Sequence, residues 1–150
     1  MDIGFHCDGD CRYRLTDKRR LRIWLREVAL REGFELGGLE YVFCTSERLL
    51  EMNRQFLGHD YFTDIITFDY GDPEARVAAG DMFIDVDTVA DNARIYSSMP
   101  RREMMRVIVH GLLHLCGQGD KTPDDEARMR RKENRYLKLY DSMFRPAAQQ

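Results

Sequence analysis

The chain has 150 residues, 43% hydrophobic and 33% charged, which suits one globular domain with a workable core. Its net charge of −3 argues against nucleic-acid binding by bulk charge alone, though it leaves room for a local basic face. No apolar stretch approaches the roughly 20 residues of a membrane helix. The N-terminus "MDIGFHCDGD" has neither the n- and h-regions of a signal peptide nor the Arg-rich character of a transit peptide, so a cytoplasmic location is expected.

"DIGFH" (2–6) alternates weakly and predicts a short strand. Cys7 and Cys11 lack the spacing of a zinc knuckle and have no partner pair downstream; with no secretion signal, all four cysteines are expected as reduced thiols. Thr16 is the expected N-cap of a helix over 17–32. Leu21, Trp24, Leu25, Val28 and Leu30 form its apolar stripe, and Gly33 its stop. "LEYVFCT" (Leu39–Thr45) predicts a strand, and Ser46 caps a second helix that ends near Gly58. "TDIITFDY" (Thr63–Tyr70) is β-branched and aromatic and predicts another strand. "GDPEARVAAG" follows as a loop, "DMFIDV" (Asp81–Val86) as a returning strand, and 87–97 as a helix. Pro100 opens the next helix, which runs to Gly117. Thr122 and Pro123 start a long amphipathic last helix. The locally basic stretches "DKRRLRIWLRE" and "RMRRKENRYLK" have acidic neighbours and suit solvated helix surfaces. The expected fold is one α+β domain, with a small mixed sheet of about four strands and about five helices.

The stretch "VIVHGLLHLCGQGD" (Val107–Asp120) interrupts an apolar run with two histidines, four residues apart. On a helix, His110 and His114 share a face, with Cβ atoms about 5–6 Å apart. Two neutral core histidines would each need a buried partner, which is costly; one shared cation satisfies both. Gly117 and Gly119 break the helix, and a short turn can bring Asp120 back to the same ion. The pattern is H-x3-H-x5-D, two nitrogens and one carboxylate, with a position left for water. The zincin motif H-E-x-x-H is close, but residue 111 is glycine, so a peptidase would lack its in-motif base. Gly111 is expected to leave room for substrate beside the ion.

"HGLLHLCGQGD" resembles the H-G-x-L-H-L-x-G-Y-D-H signature of the YbeY family of metal-dependent endoribonucleases. The resemblance extends over "MNRQFLGHDYFTDIITFDY", "GDMFID" and "EARMRRKEN", about residues 50–135. It implies cleavage of single-stranded RNA in ribosomal RNA maturation, including processing of the small-subunit rRNA 3′ end. Ribosomal RNA and the small ribosomal subunit are the implied partners, and one Zn²⁺ per chain the implied cofactor. His110, His114 and Asp120 are the implied metal ligands and act in catalysis through the water that the ion acidifies. Three departures stand out. Asp120 replaces the family's third histidine, Gln118-Gly119 its Tyr-Asp, and Leu57 and Phe62 an arginine and a proline. An anionic ligand should make the bound water less acidic and admit harder ions such as Mn²⁺ or Fe²⁺. With arginine absent at Leu57, His59 and Arg106 are candidates to contact substrate phosphate. Asp64 and Asp81, at strand starts, are candidates to support an imidazole N–H.

Three other functions use the same residues. A ribosome-associated assembly factor would carry a mainly structural metal, but three ligands beside glycines suit an open position better than a closed one. A second alternative is another metal-dependent hydrolase. A two-His-one-carboxylate iron oxygenase is a third reading of the ligand set alone.

Overall fold

The computed structural model describes residues 2–58 and 63–145. Four strands form one sheet in the order β1-β2-β4-β3: β1 (Ile3–Cys7), β2 (Glu35–Cys44), β3 (Ile65–Asp69) and β4 (Val77–Asp85). β1, β2 and β4 run parallel, and β3 pairs antiparallel with β4. Among the described residues five helices accompany the sheet: α1 (Lys18–Arg31), α2 (Ser46–Leu57), α3 (Val86–Ile95), α4 (Pro100–Leu115) and α5 (Pro123–Met143). The α+β class, mixed sheet and element numbers agree with expectation. Among the described residues, no helix is long and apolar enough to cross a membrane.

Strand alternation divides the core between the two sheet faces. Leu39, Tyr41 and Phe43 of β2, with Ala78, Met82 and Ile84 of β4, face the main core, where Trp24, Ile108, Leu112 and Leu137 are buried. Val42, Cys44, Ile66, Phe68 and Phe83 form a smaller cluster on the other face, with Leu49 and Met52 of α2. Two buried polar groups in the main core reach backbone carbonyls. Trp24 Nε1 donates to Tyr136 at 2.7 Å, and the Tyr41 hydroxyl to Ile108 at 2.8 Å. These bonds fix α1 on α5 and the sheet on α4 without leaving a buried donor unpaired.

α4 lies close on the sheet because of Gly111. A Cβ there would stand 2.8 Å from Met82 Sδ and 3.0 Å from Ile65 Cδ1. Gly111 thus faces the sheet, not the histidines, and its small size serves helix–sheet approach. This corrects the expectation that it clears space for substrate.

Element ends differ from expectation for local reasons. Asp17, not Thr16, is the N-cap of α1; it adopts φ 55° and makes no side-chain cap, while Thr16 accepts from Arg101 instead. Thr45, not Ser46, caps α2 by accepting from the Arg48 N–H. β2 and β4 begin earlier than read, since Gly37-Gly38 and Ala78-Ala79-Gly80 carry little strand propensity and become strand through the ladder, Leu36 opposite Ala78 and Gly38 opposite Ala79 with Gly37 bulged between them.

Ser46 is free to serve Asp85, which is fully buried. Asp85 caps α3 by accepting from the N–H groups of Asp87 and Thr88, both at 3.0 Å. It also accepts the hydroxyls of Ser46 at 2.8 Å and Thr88 at 2.7 Å. Asp85→Ala removes the cap and leaves two hydroxyls unpaired, so it should destabilise the fold by about 2–4 kcal/mol. A lower urea midpoint at unchanged m-value checks this.

All four cysteines are free thiols. Burial pushes Cys44 and Cys116 up to about 12 and raises Cys11 as well, while Cys7 is exposed. Thiolate is the reactive form, so at pH 8 only about one Cys44 or Cys116 side chain in ten thousand is reactive. Brief iodoacetamide treatment of the native protein should add one label, on Cys7, by intact and peptide mass.

Candidate active site

Arg102, Arg106, His110 and His114 follow at four-residue intervals on α4. Such a row turns only about 40° per step around the helix, and its first three members face α5. Arg102 pairs with Asp141 at 2.8 Å. Arg106 donates to Glu133 Oε1 at 3.0 Å and to Asn134 Oδ1 at 2.8 Å. His110 Nδ1 bonds Glu133 Oε2 at 2.7 Å. Glu133 therefore holds both a guanidinium and an imidazole, with its side chain only 7% exposed.

The two sides of that bond are tuned together. Burial alone would depress His110, but the Glu133 hydrogen bond and the charges of Glu133, Asp64 and Asp120 raise its pKa. Burial would raise Glu133, but His110 and Arg106 hold its carboxyl below the usual range. The surroundings of His110 thus favour positive charge on or beside the ring.

With Nδ1 occupied, Nε2 is the free nitrogen, and it stands 3.4 Å from Asp120 Oδ2. Two ligand atoms at bond lengths of about 2.0–2.1 Å and a tetrahedral angle lie about 3.4 Å apart. The pair therefore fits adjacent positions on one cation. Carboxylate support of the opposite ring nitrogen is the usual arrangement behind a metal-bound histidine. The turn carrying Asp120 is pinned locally. Gly117 takes φ 90° to end α4, and the Gln118 amide, nearly buried, donates to the Gly119 carbonyl at 3.0 Å.

His114 stands apart from this pair. Its side chain is exposed, outside the cleft lining and without a hydrogen-bond partner among the described residues. As the side chains lie, no three His, Cys, Asp or Glu groups among the described residues enclose an ion. The backbone nevertheless places His114 one turn along the same face, and no hydrogen bond holds the ring there. The donor set suits a metal, with His110 and Asp120 already at ligand spacing.

The cleft over His110 has a volume of about 600 Å³ and is lined by the end of α3, by α4 and by α5. Asp64 lies in this lining; burial raises its carboxyl, against the opposing charge of His110. The imidazole N–H partner expected of Asp64 or Asp81 is Glu133 instead. Asp81 is not in the cleft. It alternates with Gly80 and Met82, which face α4, and so lies on the opposite face of the sheet. Arg106 lines the cleft, but both its arms are committed to α5. His59 and Phe62 lie outside the described residues. Glu133 was missed by reading the sequence, although a carboxylate within the buried stripe Met129, Glu133, Tyr136 and Leu137 is a visible anomaly.

Fold and site together define a one-domain α+β enzyme whose cleft centres on a histidine–carboxylate cluster on one helix and the turn after it. The chain belongs to the endoribonuclease YbeY family, whose model matches residues 12–141. Proteins carrying that name are similar over nearly the whole chain. One from Cytophaga hutchinsonii is 45% identical over 135 residues, 90% of this chain and 94% of that protein. One from Parabacteroides distasonis is 42% identical over 139 residues, 93% and 96% of the two chains. A solved Thermotoga maritima protein shares the fold, with a TM-score of 0.65 at 22% identity over 95% of this chain and 91% of that one.

Glu133→Gln keeps the shape but replaces a charged partner of His110 with a neutral one. Loss of such a partner should weaken metal affinity about 10- to 100-fold. Competition with a chromogenic chelator measures it, and circular dichroism should show the fold intact.

Proposed function

We propose that this chain is a metal-dependent endoribonuclease that cleaves single-stranded RNA in ribosomal RNA maturation, with His110, His114 and Asp120 as the metal ligands. The RNA-cleaving hydrolase activity follows from family membership. The observation that carries the site is the fixed His110 ring. Glu133 holds one nitrogen at 2.7 Å, and the other faces Asp120 at 3.4 Å in an open cleft. Zn²⁺ suits two imidazoles and a carboxylate, and the carboxylate also admits Mn²⁺ or Fe²⁺. Bound there, the ion would supply Lewis acidity toward phosphate and lower the pKa of a water.

The residues of the chain do the rest. Glu133 fixes the His110 tautomer by accepting from Nδ1, so that Nε2 presents a lone pair to the cleft. Arg106 restrains Glu133 and offsets its charge, which keeps the carboxylate ionised under burial. Asp64 adds negative charge opposite the ring without bonding it. Three ligands suit an open, catalytic position rather than a closed structural one. Small-subunit ribosomal RNA is the substrate that the family resemblance implies, and it requires an unpaired strand in the cleft.

Asp120→Ala should lose most of its bound metal at matched pH, as read by mass spectrometry of the purified protein. His114→Ala should abolish cleavage of an unstructured RNA while thermal unfolding stays cooperative. Full metal stoichiometry and affinity in Asp120→Ala would overturn the ligand assignment. Undiminished cleavage by His114→Ala would overturn the role of the second histidine.

A further inference from the structure

Two side chains lining the cleft make no hydrogen bond within the cluster around His110. Tyr96, the C-cap residue of α3, is 67% exposed. Ile95 and Met99, near it in the sequence, are exposed as well. Arg130 projects from α5 with a side chain 60% exposed. It makes a loose ion pair with Glu133 Oε1 at 3.9 Å, beyond hydrogen-bond reach. The cleft's other guanidinium, Arg106, is 20% exposed and bonded through both arms.

The chemistry of the cleft makes these two side chains informative. Asp64, Glu103, Glu126 and Glu133 line it alongside Asp120. A phosphodiester entering that field is repelled unless a cation meets it at the mouth. An uncommitted guanidinium is the side chain best shaped for phosphate, giving two parallel N–H donors. An exposed phenol at the same cleft offers a face for an unpaired base, and such stacking tolerates any sequence. The two residues come from α3 and α5, and both of those helices pack on α4, which carries His110.

We propose that Tyr96 and Arg130 form a two-point clasp for the RNA strand, with one base stacked on Tyr96 and a backbone phosphate paired with Arg130. The proposal rests on the endoribonuclease reading and adds the residues that hold the strand. It also gives a reason for single-strand preference, since a paired base cannot turn its face to the tyrosine. Arg130 then supplies the phosphate contact that Leu57 cannot make.

Steady-state kinetics on a short unstructured RNA, with the metal-loaded protein, test it. Tyr96→Ala should raise KM about tenfold with kcat nearly unchanged, and Tyr96→Phe should restore the wild-type KM. Arg130→Gln should raise KM by a similar factor and flatten the dependence of log KM on log salt by about 0.7, the share of one phosphate on a single strand. Arg130→Lys should recover much of that slope. Metal content should equal wild type in all four variants, which separates weak RNA binding from loss of the ion. An Arg130→Gln variant with wild-type KM and salt slope overturns the clasp, as does a Tyr96→Phe variant as impaired as Tyr96→Ala. Metal-loaded wild type that cleaves no RNA overturns the proposed function, and the clasp with it.

Discussion

The bond between His110 and Glu133 is the interaction on which the site depends. It joins α4 to α5 at the most buried of the charged contacts along their seam, which also holds Arg102–Asp141. A carboxylate in the apolar stripe of α5 would cost several kcal/mol if left unpaired. Here the imidazole takes one oxygen and Arg106 the other, so both are used. That satisfaction also orients the ring. The pairing that makes Glu133 tolerable inside the protein makes His110 Nε2 available at its surface. Stability and function are coupled at this residue, and a change there acts on both.

The sheet determines where that pair sits. Gly111 lets α4 approach Met82 and Ile65 closely. One residue earlier, the chain has turned about 100° and presents His110 to α5 and the cleft. A side chain at 111 would lift the helix from β4 and carry the histidine row with it. The parallel pairing of β2 with β4 and the antiparallel return of β3 bring Asp64 to the same end of the sheet, where its carbonyl accepts from the Asp85 N–H. Asp85 in turn caps α3, the helix that ends at Tyr96. The cleft wall is therefore continuous with the core.

Much of this was legible before the fold was known, and the failures have physical causes. The α4 histidine pair, the turn to Asp120 and the Pro-opened helices follow from spacing and cap chemistry, which are local. Sheet order is not local, so two aspartates at strand starts looked equivalent. Asp64 reaches the cleft, while Asp81 falls on the far face because strand side chains alternate. Gly111 was assigned to the wrong face for a similar reason, since one step along a helix changes the neighbour entirely. The starts of β2 and β4 were missed because Gly37, Gly38 and Ala78–Gly80 have weak strand propensity and take their conformation from each other. Glu133 is different. Its place in an apolar stripe is a local signal that sequence reading can use, provided a buried carboxylate is treated as a question about its partner.

Asp120 gains meaning from the charge around it. The cleft lining carries five carboxylates and two guanidinium groups, one of which is already bonded to a carboxylate. Such a field attracts a divalent cation and repels RNA. A histidine in place of Asp120 would make the same cleft less negative and attract an ion less strongly by charge, though it would leave a bound ion the stronger Lewis acid. With aspartate as the proposed ligand the balance would shift: an ion would be drawn in by Coulomb attraction, and more of its positive charge would be offset by the protein's own ligands. Less of that charge remains for the substrate, so an aspartate-bearing site has greater need of a separate cation for phosphate. Arg130, exposed at the same cleft and only loosely paired with Glu133, is placed to meet that need. The proposed aspartate ligand and the exposed arginine would then be two sides of one electrostatic balance.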